Sequence, residues 1–184
     1  MIILVSCLLL LLVAAVAPRS DLRRLSEVRL RHTWLVWVAL VAQVLVISVL
    51  PGDHQTLSAG AHLASYAVAG VFAFANRGLP GALVVAAGGA LNFAAIAANG
   101  GTMPATAEAL HRSGWQPAPG HFANSAVVPH ARLSWLGDVF ATPSWLPIHS
   151  VFSVGDILVV LGVAVFLQRC TRQSEEIAAL VPQG

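Results

Sequence analysis

Six polar side chains stand inside or beside the long apolar runs of this chain, and any chemistry would have to start from them: His62, Asn92, Asn99, Asp138, Ser153 and Asp156. A polar or ionisable group at membrane depth is costly unless it is partnered, so each needs a reason for its place. Asp156 could hold or relay a proton. Ser153-Val154-Gly155-Asp156, however, has the S-x-x-[DE] form of a capping box, with Ser153 as N-cap and the acid in the first turn, against the positive end of the helix. Capping explains Asp156 without further chemistry. His62 shares a helix face with Ser58, Ser65 and Ala69, and Tyr66 lies one turn on. It suits a proton carrier or ligand as well as a hydrogen-bonded structural histidine turned toward protein or water.

Asn92 and Asn99 are seven residues apart and share one helix face, with Ala95 between them and Gly81 and Gly88 extending it backward. Such a stripe suits close contact with other helices in a membrane, the asparagines hydrogen-bonding across. Asp138 follows Gly137 in a turn-like pair, and Arg132 is near enough in sequence to form a salt bridge with it. These residues are expected to gather, with the outer ends of three helices, into one polar cluster under the outer segment.

Other constellations fail on spacing. His111, His121, His130 and His149 are separated by ten, nine and nineteen residues, which matches no metal-site pattern. Asp53-His54 reads as a turn. No H-E-x-x-H, G-x-S-x-G, phosphate-binding loop or dinucleotide fingerprint occurs, and Ser125 and Ser153 lack the context of a nucleophile elbow. No catalytic residue, metal or cofactor is therefore assigned. Cys7 and Cys170 lie in the first and last apolar runs and read as small apolar side chains on opposite membrane faces, too far apart to bridge.

The elements that must position these residues follow from composition. Of 184 residues, 57% are hydrophobic and 10% charged, against about 25% charged in ordinary soluble domains. Apolar runs over about 1–17, 33–50, 57–75, 79–99 and 151–168 predict an all-α membrane protein with five transmembrane helices in a single domain. The first run has no basic side chain ahead of it and is expected to be a retained helix rather than a leader. All ten basic residues are arginine. Eight fall on one side (19, 23, 24, 29, 31, 77, 169, 172) and two on the other (112, 132), which sets the N-terminus outside and the C-terminus inside. Arg19, Arg23, Arg24, Arg29 and Arg31 lie in the first inner loop, a topology signal that also meets anionic lipid head groups. No aromatic side chain is interleaved with them, which argues against nucleic acid.

Residues 100–150 connect the fourth and fifth runs. A structureless connection of that length is improbable, and its apolar side chains (Trp115, Phe122, Val127, Leu133, Trp135, Phe140, Trp145 among them) predict an ordered outer cap on the helix ends. Within it, 104–112 reads as a short helix with Pro104 near its start and a Glu108–Arg112 pair. Residues 126–128 and 132–136 read as a small hairpin.

Asn92 with A-I-A-A-N-G-G-T-M-P, then R-L-S-W-L-G-D-V-F-A-T-P, then V-F-S-V-G-D-I-L resembles the family of small bacterial membrane proteins catalogued as domain of unknown function 5317. The likeness covers nearly the whole chain, including the arginine-rich loop and H-L-A-S-Y. It implies a five-helix, multi-pass protein of the bacterial cytoplasmic membrane and brings no catalytic residues with it. The expected function is that of a non-enzymatic accessory or scaffold component, in contact with the bilayer and with a membrane-protein partner or a second copy. The alternative is a lipid- or small-ligand-handling protein, or an enzyme, working through the polar cluster at the outer leaflet.

Overall fold

The structure is a computed structural model and describes residues 21–48, 55–114, 125–143 and 148–171, with single positions 6, 9, 10, 13 and 145. Apart from those single positions, the expected first helix (1–17) lies outside the described residues, as do Arg19, the 51–54 turn, Cys7, Trp115, His121, Phe122 and the C-terminal tail.

The molecule is mostly helical. A 3-10 helix, Leu22–Glu27, is capped by Asp21, whose Oδ1 accepts from the Arg23 N–H at 2.9 Å. Four longer helices follow from uniformly apolar sequence: α1 (Trp34–Ser48), α2 (Gln55–Ala75), α3 (Ala82–Ala98) and, after the cap, α5 (Val154–Thr171). The short α4 (Ala107–Ser113) belongs to the cap. In space α1 packs on α2, α2 on α3, and α3 on α5, the last being the most extensive contact. The 3-10 helix is fastened to the far end of α5 by the Asp21 N–H, which donates to the Thr171 carbonyl at 2.9 Å.

The α3–α5 seam is made by glycine. Gly81 faces Gly162 and Gly88 faces Gly155, two antiparallel pairs seven residues apart on each helix. A Cβ on Gly88 would meet the Gly155 carbonyl, and one on Gly162 would stand 2.6 Å from the Val85 side chain and 2.8 Å from the Gly81 carbonyl. Backbones approach this closely only where side chains are absent, the device that small residues serve between apolar helices. Gly81 also enters α3 at φ +76, a left-handed conformation that glycine adopts without strain.

The far end of α3 closes with a Schellman motif. Gly101 N–H donates to the Ile96 carbonyl at 2.9 Å and Gly100 N–H to Ala97 at 3.4 Å, with Gly100 at φ +67. The cap begins there. Strand β1 (Met103–Pro104) pairs in parallel with β2 (Ser125–Ala126), and a single bridge joins Ala105 to Asp138. β3 (Phe140–Ala141) pairs antiparallel with β4 (Val151–Phe152), which leads directly into α5. Met103 and Leu136 from the cap bury with Ala95 and Ile96 of α3, forming an apolar plug flanked by Leu63, Tyr66 and Leu91.

Several expectations need correction. The short cap helix starts from Thr106, whose hydroxyl accepts from the Ala109 N–H at 3.1 Å, because Pro104 is taken up by β1. Gly114, at φ +64, ends it, and the Glu108–Arg112 pair is present at 2.7 Å on its exposed face. The 126–136 hairpin does not form. Residues 125–126 pair with β1, and Ser134–Leu136 is a 3-10 turn entered through Leu133 at φ 51. The last helix begins at Val154, because residues 151–152 are held as a strand. Not every apolar cap residue lies on the bundle: Val127, Trp135 and Trp145 are well exposed. Among the described residues one helix, α5, is long and apolar enough to cross a membrane, over 18 residues with mean hydropathy 1.7. α3 and the Ala59–Ala75 part of α2 are shorter apolar helices. The described helices by themselves therefore support fewer crossings than the five expected.

Candidate functional site

Where α5 begins, the expected capping box is formed reciprocally. The Ser153 N–H donates to Asp156 Oδ2 at 2.9 Å, and the Asp156 N–H donates to Ser153 Oγ at 3.1 Å. Asn92 of α3 closes this box from the side. Its Oδ1 accepts from the Ser153 hydroxyl at 2.8 Å and its Nδ2 donates to Asp156 Oδ1 at 2.7 Å. One amide thus reads both members of the box, a two-point latch between helices 61 and 64 residues apart in sequence. Gly155 makes room for it, since a Cβ there would collide with the Asn92 amide. Asn92 and Ser153 are buried. Tyr66 of α2 also hydrogen-bonds the Asn92 side chain. The latch makes Asp156 more than a local cap.

His62 is buried on α2, its Nδ1 2.9 Å from the Gly101 carbonyl and its ring edge-on to Tyr66 at 5.4 Å. It ties α2 to the first residues of the cap. Gly101 itself, at φ +95, sits so close to Ala59 that any side chain would clash. Asn99 makes the other tie. Its Oδ1 accepts from the Arg132 N–H at 2.9 Å, and its Nδ2 donates to the Arg132 carbonyl at 2.7 Å and to Ala95 at 2.7 Å.

Asp138 lies inside the cap, 4% exposed, and accepts from the Ser125 hydroxyl at 2.5 Å. Its backbone N–H donates to the Pro104 carbonyl at 2.8 Å and its carbonyl accepts from the Thr106 N–H at 3.2 Å. The expected Arg132 salt bridge is absent, because the Arg132 backbone is engaged by Asn99 and Ser125 occupies the carboxylate. Burial pushes the Asp138 carboxyl up to about 6, with the charge of Asp156 adding to the shift and the Ser125 hydrogen bond opposing it.

The six residues are thus brought to one end of the bundle, where Tyr66 meets both His62 and the Asn92 amide. No direct hydrogen bond joins Asn99 or Asp138 to Asn92, Ser153 or Asp156. They form separate clasps around the plug of Ala95, Ile96, Met103 and Leu136. Sequence reasoning missed the partner glycines Gly155 and Gly162, though their seven-residue spacing repeats that of Gly81 and Gly88. It also missed Ser125, Thr142 and Asn76. Buried Thr142 closes the 142–150 loop through Ile148 and Ser150, and short-range sequence gave no sign of it.

Of the head-group arginines, Arg23, Arg29 and Arg31 are exposed, Arg24 is half-buried, and Arg19 lies outside the described residues. Cys170 is a half-buried free thiol. His149 places Nδ1 2.6 Å from the Ser113 carbonyl, fastening the end of α4. Among the described residues no three His, Cys, Asp or Glu side chains come within metal-holding range of one another. Between α2 and α3 runs an apolar groove of about 570 Å³, floored by Tyr66 and Asn92 and walled by small residues such as Gly70, Ala73 and Gly89.

These features define a helical bundle whose one end is closed by an ordered cap, held by discrete polar clasps. The chain belongs to the family described as a family of unknown function (DUF5317), whose model matches residues 27–168. No curated protein and no solved structure matches it.

Proposed function

We propose that this is a multi-pass protein of the bacterial cytoplasmic membrane, N-terminus out and C-terminus in with five crossings, acting as a non-enzymatic accessory or scaffold component of a membrane assembly. The observation that carries the reading is the Asn92–Ser153–Asp156 latch. The groups best placed for chemistry are engaged in joining helices, and those of Asn99 and Asp138 in building the cap. Exposure supports the bilayer setting. Only 22% of the α5 span is buried by the rest of the chain, and Ile157, Leu161 and Val165 form an exposed stripe at four-residue spacing. A core helix of a soluble domain would hide that stripe. Trp34 and Trp37, both exposed, suit the inner membrane interface.

In a background lacking Cys7 and Cys170, Glu108→Cys reacts with an impermeant thiol reagent in intact cells, and Ser26→Cys reacts only after lysis. Equal labelling of both removes the topology. Purification from native membranes in mild detergent then tests the role, with a stoichiometric protein partner expected. The second reading, an outer-leaflet lipid or small-ligand protein, is favoured by the groove floored by Tyr66 and Asn92. It takes over if a lipid co-purifies in place of a protein and a bulky residue at Gly89 expels it.

A further inference from the structure

The turn after α2 brings three arginine residues to one open hollow. Arg29, Arg31 and Arg77 line a hollow of about 360 Å³ together with the turn backbone. Its geometry is built rather than incidental. Asn76 is 6% exposed, and its amide makes a reciprocal pair with the Arg31 backbone: Oδ1 accepts from the N–H at 2.8 Å, and Nδ2 donates to the carbonyl at 2.9 Å and also to Phe72 at 2.9 Å. A residue 45 positions away is thereby fixed against the turn. Arg77 is oriented too. Its guanidinium donates to the Phe74 carbonyl at 3.0 Å and lies over the Phe74 ring at 4.3 Å. No carboxylate lines the hollow, and among the described residues none pairs with these three arginines. Glu27, the nearest acid in sequence, belongs to the preceding 3-10 helix.

Three arginines lining one open hollow bring like charges into the same neighbourhood, a repulsion that water only screens. A planar, forked donor is matched by the oxygens of a phosphate, which accepts several N–H groups at once. We propose that Arg29, Arg31 and Arg77, aligned by Asn76, form a binding site for one phosphate-bearing anion at the inner face of the bundle. A phosphomonoester group is the best fit, since it carries more charge than a diester. It can come from an anionic lipid head group or from a free phosphate. The site stands apart from the accessory role proposed above, because it needs neither a protein partner nor the outer cap.

Native mass spectrometry of the full chain in neutral detergent tests the site, with phosphatidic acid and inorganic phosphate added in separate titrations. One anion bound per chain is expected. R29Q/R77Q weakens it by about tenfold or more, the scale of losing charge-assisted hydrogen bonds. R112Q/R169Q also removes two charges, from exposed positions outside the hollow and outside the head-group set, and changes affinity by less than about twofold. Asn76→Ala keeps every charge, frees Arg31 from the turn, and weakens binding by about threefold or more. Binding of phosphatidic acid alone identifies the source as lipid, and binding of inorganic phosphate identifies a free anion. Equal losses in the two double variants, or no bound phosphate of either kind on the wild-type chain, overturn the site.

Discussion

The α3–α5 seam and the cap meet at the same end of the bundle but are held by different means. The seam is close backbone contact, Gly81 on Gly162 and Gly88 on Gly155, with the Asn92 latch set at its cap end. Among its described residues the cap has little regular structure, two-residue strands and a seven-residue helix, and hangs on single polar clasps: Asn99 on Arg132, His62 on Gly101, Ser125 on Asp138. A seam of this kind fails sterically and all at once, since neither backbone can yield. A clasped cap loses stability in separate increments, because each hydrogen bond can be removed without displacing its neighbours.

The sharpest break of that contrast lies in two adjacent glycines. Gly88→Ala drives a Cβ into the Gly155 backbone and is expected to cost about 3 kcal/mol of unfolding free energy, measured by denaturant or thermal unfolding in detergent. Gly89→Ala meets nothing within 4 Å and should be neutral or stabilise by up to about 1 kcal/mol through helix propensity. Equal costs at both positions would mean that the seam is not sterically set.

Next in size is Asn92→Leu, which strips the latch while nearly preserving volume. It leaves the Ser153 O–H without its acceptor and Asp156 Oδ1 without its donor, at an expected cost of about 2–3 kcal/mol. Asp156→Asn should cost about 1–2 kcal/mol, more than a simple cap would, since both carboxylate oxygens are engaged. A double-mutant cycle between the two checks the coupling, and additive losses would separate cap from latch.

The third prediction concerns pH and only the cap. The Asp138 carboxyl titrates near 6 in the folded state against 3.8 when unfolded, so the folded chain binds this proton more tightly. Its contribution is therefore most favourable below about pH 4 and is lost as pH rises through 6, a change of about 2–3 kcal/mol. Asp138→Asn should flatten that slope and raise stability at pH 7, read as the difference between variant and wild type over pH 4–7. An unchanged slope would show that Asp138 is better hydrated than its burial indicates.

The smallest effect is at the cap clasp. Asn99→Ala should cost about 1 kcal/mol, because its bonds to Arg132 lie at an exposed edge. Faster proteolysis of the cap, with the helices intact, is the expected readout. A loss as large as that of Asn92→Leu would erase the distinction between seam and cap.

What could be read in advance was local or periodic. The capping box is three residues long, so Ser153 and Asp156 announce each other. The Gly81, Gly88, Asn92 stripe announces a close helix contact, as 3.6-residue periodicity puts those positions on one face. The Glu108–Arg112 pair is likewise a matter of one turn. The cap was legible as ordered but not in its parts. A two-residue strand has no periodicity of its own, so Met103–Pro104 and Ser125–Ala126 are strands only because tertiary structure sets them side by side.

The sequence by itself determined a helical chain of exceptional apolarity, the four described long helices within a few residues, and its membership of one family. Tertiary structure alone decided the partners: that Asn92 closes the box of a helix 61 residues on, that Ser125 rather than Arg132 meets Asp138, that Asn76 holds Arg31. The physical reason is range. Capping, periodicity and hydropathy act within a turn or two of the chain, whereas a buried amide or carboxylate takes whichever complementary group the fold delivers within about 3 Å.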